Sequence, residues 1–159
     1  GPEDLAGHGP GLSPRRRPAR AAAAMPAIGP SHLVLLRSDG RAVACGENHV
    51  GQCDVPEPEE GVAYVDAAAG RQFTVLLRSD GLPVLCGGLF KLPQRPKARY
   101  VQVAAGTLHA VLLRSDGDAV ACGDNAWGQC DVPPAGGGRT YVQVACGRRH
   151  TVLLRSDGR

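Results

Sequence analysis

Short apolar runs and clusters of Gly, Asp, Asn and Pro alternate along this chain, and the alternation itself recurs. Val-Leu-Leu-Arg-Ser-Asp-Gly stands at residues 34–40, 75–81, 111–117 and 152–158, at spacings of 41, 36 and 41 residues. Self-similarity at this period marks a repeat architecture, in which a small unit buries its apolar face only by stacking on its neighbours. Three strands are predicted per unit. The first, residues 64–68, 100–104 and 141–145, reads Tyr-Val-Gln-Val in two units and Tyr-Val-Asp-Ala in the other, with a strand's period-two alternation. Its counterpart at 24–28 is degenerate, and Pro26 removes a ladder donor there, predicting a frayed or edge strand. The second strand, residues 32–37, 73–78, 109–114 and 150–155, lacks strict alternation, as a strand buried on both faces does. Asp-Gly then predicts a tight primed hairpin turn, and a third strand returns at 41–45, 82–86 and 118–122.

Loops rich in Gly, Asn, Asp and Pro follow at 46–61, 87–99 and 123–139, and the shorter middle loop accounts for the 36-residue spacing. Three short antiparallel strands per unit, in tandem, predict an all-β chain of β-propeller blades over residues 24–159, three complete and a fourth partial. A β-solenoid is the alternative, and hairpins inside each unit argue against it. Residues 1–23 are Pro, Gly, Arg and Ala, and are expected to form a disordered tail. A start at Gly1 and a stop just after the fourth turn are expected of a fragment, whose end blades would carry unpaired edges.

Aromatic residues make up only 4% of the chain, so the core is expected to be Val, Leu, Ala and Cys. A net charge of +3 is too mild to imply nucleic-acid or membrane binding by itself. No apolar run reaches the roughly 18 residues of a membrane-spanning helix. The stretch 15–28 faintly resembles a secretory signal, but its apolar part is short and runs into repeat sequence, so an intracellular setting, cytoplasmic or nuclear, is expected. Arg15, Arg16, Arg17 and Arg20 form the one basic cluster, read either as a solvated tail or as an import signal or phosphate-binding arm.

The candidate chemistry is sparse. His32, His109 and His150 share one repeat position, where the second unit has Phe73. A position that accepts Phe is a packing site, and a ring nitrogen bound to a nearby backbone group is expected. Ser-Asp recurs in every hairpin, which is turn chemistry rather than a catalytic pair. Cys45/Cys53 and Cys122/Cys130 are each separated by eight positions, too far apart for the usual Cys-x2–4-Cys zinc spacing. A disulfide within each pair stays open in an oxidising compartment; buried thiols acting as small hydrophobes are the default. The glycines at 136–138 precede Arg139 rather than the Lys-Ser/Thr of a phosphate loop. No catalytic residue, metal site or cofactor is assigned.

Gly106-Thr-Leu-His109, Leu113, Asp116-Gly117 and Cys122-Gly-Asp-Asn125-Ala-Trp-Gly128-Gln129 together resemble the regulator-of-chromosome-condensation repeat. The first unit matches through Gly29, His32, Asp39, Gly40, Gly46, Asn48, Gly51 and Gln52. The compact units look most like the three-stranded blades of the β-lactamase inhibitory protein type. Cys45, Cys86 and Cys122 stand where the family usually has Trp, and the second unit lacks the Asn-x-x-Gly-Gln loop. The resemblance implies a propeller of typically seven blades, with the turn between the first two strands on the partner-binding face. The variable residues of that turn, Arg71, Gln72, Thr107, Leu108, Arg148 and Arg149, are therefore candidate partner contacts, as is the lone Trp127, which stands where the first unit has Val50.

The expected function is a non-catalytic module that presents these loops to a protein partner and packs on neighbouring repeats of its own polypeptide. Two alternatives come from other classes. One is the substrate-recognition segment of a larger HECT-type ubiquitin ligase. The other, weaker, is guanine-nucleotide exchange on a small GTPase. Nucleic-acid contact by the basic tail is a further, weak expectation, and no membrane partner is expected.

Overall fold

The computed structural model describes residues 25–93 and 98–159. The tail at 1–23, with Arg15, Arg16, Arg17 and Arg20, lies outside the described residues. Four antiparallel sheets, the blades, follow one another along the chain. Blade 1 is β1 (Ala27–Ile28), β2 (His32–Leu36) and β3 (Ala42–Gly46). Blade 2 is β4 (Tyr64–Ala69), β5 (Phe73–Arg78) and β6 (Pro83–Gly87), and blade 3 is β7 (Tyr100–Ala105), β8 (His109–Arg114) and β9 (Ala119–Gly123). Blade 4 has two strands, β10 (Tyr141–Cys146) and β11 (Thr151–Arg155). No helix occurs among the described residues, so none is long and apolar enough to cross a membrane.

The middle strands explain why their sequence shows no simple alternation. In β5, Phe73, Val75 and Leu77 pack toward blade 3, while Leu76 packs toward blade 1. In β8, Ala110 and Leu112 face blade 2, and Val111 and Leu113 face blade 4. Side chains still alternate with period two, but both faces are interfaces, so both are apolar. Strands β2 and β11, flanked on one side only, keep one half-exposed set of side chains.

The first strands carry a β-bulge that sequence alternation did not reveal. Tyr64 pairs with Arg78 while Asp66 pairs with Leu77, which leaves Val65 as the extra residue; the same shift occurs after Tyr100 and Tyr141. The bulge turns Val65, Val101 and Val142 outward while each preceding tyrosine stays buried. The next polar residue then reaches across to the following blade. The Gln102 amide receives the Val144 N–H at 3.0 Å and donates back to the Val144 carbonyl at 3.3 Å. At the equivalent position Asp66 accepts from Val103 N at 3.0 Å and from Ala67 N at 2.9 Å, and burial raises its carboxyl above the usual range.

Two predicted details are corrected. The first strand of blade 1 is shorter than 24–28: only Ala27 and Ile28 pair, as expected downstream of Pro26. The hairpins are not two-residue primed turns. Arg37 N donates to Arg41 O at 2.8 Å and Gly40 N to Arg37 O at 3.1 Å, which closes a three-residue loop with Gly40 at φ +84°. The glycine also meets the next blade. A Cβ on Gly40 would lie 2.7 Å from Ala63 Cβ, and one on Gly117 would lie 2.2 Å from Thr140 Cβ. The Gly40 and Gly117 carbonyls receive Tyr64 N and Tyr141 N, so each hairpin clamps the start of the next unit.

Candidate binding face

The two ends of the blades differ in electrostatics. At the hairpin end most arginines that flank a turn are paired: Arg37 with Asp39, Arg41 with Glu57, Arg78 with Glu59 and Asp80, Arg114 with Asp116 and Asp118, and Arg155 with Asp157, whereas Arg99 and Arg159 form no ion pair among the described residues. Hydrogen bonds hold three of these carboxyls below the usual range, led by the Arg41 backbone N–H on Asp39 and by the paired guanidinium on Asp80 and Asp116.

The opposite end carries the turns between first and second strands. Gly29, Gly70, Gly106 and Gly147 each donate their N–H to the carbonyl three residues on, so the two intervening residues stand out at the surface. Only glycine fits there, because a Cβ on Gly70 would lie 2.1 Å from the Phe73 ring, and one on Gly106 or Gly147 lands equally close to its histidine ring. The turns are stitched across blades: Arg71 N donates to Thr107 O at 3.0 Å, Thr107 N to Arg148 O at 3.3 Å, and the Ser31 hydroxyl to Arg71 O.

The seven candidate contact residues all lie at this end, divided among three grooves. Arg71, Thr107 and Arg148 line a groove of about 590 Å³ where the first strands converge. Gln72 and Leu108 line a second, of about 330 Å³, between blades 2 and 3. Trp127 and Arg149 line a third, of about 190 Å³, between blades 3 and 4. Trp127 is 67% exposed, and the Arg149 guanidinium lies 4.9 Å from its ring centroid, a cation–π contact. Trp127 is displayed by its loop. Its N–H donates to Gln129 Oε1, Asn125 Oδ1 receives Cys130 N, and the Asn125 amide donates to Asp131. Arg71, Arg148 and Arg149 form no ion pair among the described residues.

The shared histidine position sits just beneath this face. His32 Nε2 lies 2.7 Å from Thr74 Oγ1 of the next blade, and Thr74 donates its one hydroxyl proton to Gln52 O at 2.7 Å. His32 must therefore be the Nε2–H tautomer, donating to Thr74. His109, Thr151 and Gln129 repeat the arrangement at 3.0 and 2.8 Å. The ring thus binds a side-chain hydroxyl, not the backbone group expected from sequence. Burial lowers the pKa of both His32 and His109. Where blade 2 places Phe73, the facing residue of blade 3 is Ala110 and the Gln loop is missing. All three members of the hydrogen-bonded chain change together, and Phe90 of the short loop packs edge-on against Phe73 at 4.9 Å.

The six cysteines are free thiols, and Cys45 is exposed rather than buried as the default reading had it. Burial pushes Cys86 and Cys146 up to about 11 and Cys122 up to about 12, which removes thiolate character at neutral pH. Among the described residues, no three His, Cys, Asp or Glu side chains gather where they could hold a metal ion.

Residues 100–129, blade 3 through its Gln129 loop, match the regulator of chromosome condensation (RCC1) repeat. Blade 3 thus matches the RCC1 repeat. The same propeller architecture is found in Prp20p of Saccharomyces cerevisiae, at 21% identity and a TM-score of 0.71 over 84% of this chain and 42% of that one. It is also found in the CRINKLY ectodomain of the Arabidopsis thaliana receptor kinase ACR4, at 22% identity and a TM-score of 0.63 over 81% and 45%. Human WBSCR16 aligns at 18% identity and a TM-score of 0.67 over 81% and 44%. The chain spans less than half the length of these structures. No curated protein matches it in sequence. The Gly-x-x turns were legible in the sequence, whereas Leu89 and Phe90 at the groove between blades 2 and 3 were not singled out; the available signal was Gly-Gly-Leu-Phe standing where the first and third units have the Asn-x-x-Gly-Gln loop.

Proposed function

We propose that this segment of RCC1-type repeats is a non-catalytic protein-binding module whose partner docks on the end that carries the Gly-x-x turns. One observation carries the reading. Arg71, Arg148 and Arg149 stand exposed without acidic partners at this end, near an exposed Trp127, whereas Arg37, Arg41, Arg78, Arg114 and Arg155 at the opposite hairpins are paired. Arg and Trp are the residue types that most often dominate interface energetics, and an unpaired guanidinium is free to take a partner's carboxylate. Prp20p, which binds Gsp1p and histones, supports protein binding as a use of this architecture.

The test compares the immobilised chain with its Trp127→Ala and Arg148→Ala variants for the proteins each retains from a cell lysate. Both variants should keep the parent circular dichroism spectrum and melting temperature, because neither side chain packs in a core cluster. Each should lose most of the retained partner. Undiminished retention by both would place the binding surface elsewhere.

A further inference from the structure

The short loop of blade 2 lines an apolar groove between blades 2 and 3. Val50, Phe73, Leu89, Phe90 and Leu108 line it together with Gln72 and Asp124, whose carboxylate accepts a hydrogen bond from Gln129 Nε2 at 2.8 Å. Leu89 is fully exposed, and Val50 and Leu108 are 43% and 44% exposed. The floor is firm: Phe73 is buried, and Phe90 meets it edge-on. At the other two interfaces a Gln side chain is buried beside the histidine position. Exposed apolar side chains around a preformed aromatic floor make a pocket for one apolar side chain.

This groove shares its walls with the cationic one. Gln72 and Leu108 face the apolar side, and the residues just before them, Arg71 and Thr107, line the groove where Arg148 also lies. A ligand that crosses these two turns passes directly from an apolar pocket to two guanidinium groups without acidic partners.

We propose that this face binds an extended acidic peptide segment of a partner protein. An aliphatic or aromatic anchor fills the groove beside Leu89 and Phe90, and neighbouring carboxylates pair with Arg71 and Arg148. The charge complementarity of the unpaired arginines selects an acidic segment over a basic one. The apolar pocket gives such a segment register, which charge alone does not. This assignment rests on the proposed binding face and names the chemistry of its occupant.

The test is fluorescence anisotropy with the whole chain and a labelled peptide of Asp, Glu and Gly that carries one central Leu-Phe pair. Two control peptides either replace Leu-Phe by Gly-Gly or replace the acidic residues by Lys. The anchored acidic peptide should bind saturably and weaken by about tenfold or more when the anchor is removed. Leu89→Asp, a change at a fully exposed side chain, should reproduce that loss. Arg71→Glu/Arg148→Glu should abolish binding, and added salt should weaken it. Equal binding with and without the anchor overturns the proposal, as does binding of the Lys peptide as tight as that of the acidic one. A chain that sediments as a dimer and becomes monomeric on Leu89→Asp assigns the groove to a second copy, which also overturns it. If the peptides fail while lysate capture still depends on Trp127 and Arg148, the peptide assignment falls and the binding face stands.

Discussion

Thr74→Val isolates the polar chain that locks blade 1 to blade 2. The substitution keeps the side-chain shape and removes one hydroxyl that is wholly buried. That hydroxyl accepts from His32 Nε2 at 2.7 Å and donates to Gln52 O at 2.7 Å. Its loss removes two neutral hydrogen bonds and leaves a buried N–H without an acceptor, together about 3–4 kcal/mol. Burying a methyl group in its place returns roughly 1 kcal/mol. The net loss is about 2–3 kcal/mol, or about 4–12 °C in Tm for a domain of this size. Thr151→Val is the internal comparison. Its hydroxyl makes the same two bonds, but the residue is half-buried, so water can replace part of what is lost. It should lose about half as much. Urea unfolding followed by far-ultraviolet circular dichroism measures both, with an unchanged m-value as the sign that only stability moved. A Thr74→Val midpoint within about 0.5 kcal/mol of the parent, or a larger loss for Thr151→Val, would refute the reasoning.

Three further outcomes are expected. Burial lowers the His32 and His109 pKa from the ordinary 6.5, so the stability held by the neutral rings is complete above 6.5 and lost as pH falls below it; urea midpoints should drop between pH 7.5 and pH 5, and the drop should shrink in a His109→Phe/Thr151→Ala variant. Gly117→Ala should lower stability by about 2–4 kcal/mol, because φ is +84° and the new Cβ collides with Thr140, whereas Gly158→Ala, at φ +81° with nothing within 4 Å, should lose only about 1–2 kcal/mol from backbone strain; equal melting shifts for the two would remove the clamp. Glu47→Asp should raise stability by about 1 kcal/mol: among the described residues buried Gln52 Nε2 has no partner, whereas Gln129 Nε2 donates at 2.8 Å to Asp124, the residue that stands in the place of Glu47. A melting temperature unchanged or lowered would show that the shorter carboxylate does not reach.

Much of the blade plan was legible because it depends on local pattern. β5 and β8 have the predicted bounds, since a short, mainly apolar run between glycine turns has few other places to go. The bulge after Tyr64, Tyr100 and Tyr141 was not legible, because an extra residue in a strand leaves the apolar count unchanged. The hairpin type was misread because Asp-Gly suits both the primed turn and the three-residue loop; the ladder register decides between them, and register is a property of two strands. Exposure of Arg71, Arg148 and Arg149 followed from their variability between units, but nothing local said that Gln72 and Leu108 would face a different groove from their neighbours. Leu89 and Phe90 escaped because the short loop looks like a deletion when units are compared, and its consequence appears only when Phe73 and Ala110 meet across the interface.

That meeting sets a grammar for how such repeats multiply. Each blade presents one residue forward and the next residue backward: Phe73 and Thr74 in blade 2, His109 and Ala110 in blade 3, His150 and Thr151 in blade 4. His reads Thr, and Phe reads Ala. A duplicated blade 4 would set His150 against Thr151 of its copy and could be reiterated without penalty. A duplicated blade 2 would press Phe73 on a hydroxyl, and a duplicated blade 3 would leave His109 donating to a methyl group. Blades 2 and 3 therefore travel as a couplet, entered through Thr74 and left through His109. Gene duplication acting on such a chain is confined to one- or two-blade steps according to which blade it starts from, and the inherited unit is fixed by interfaces rather than by sheets.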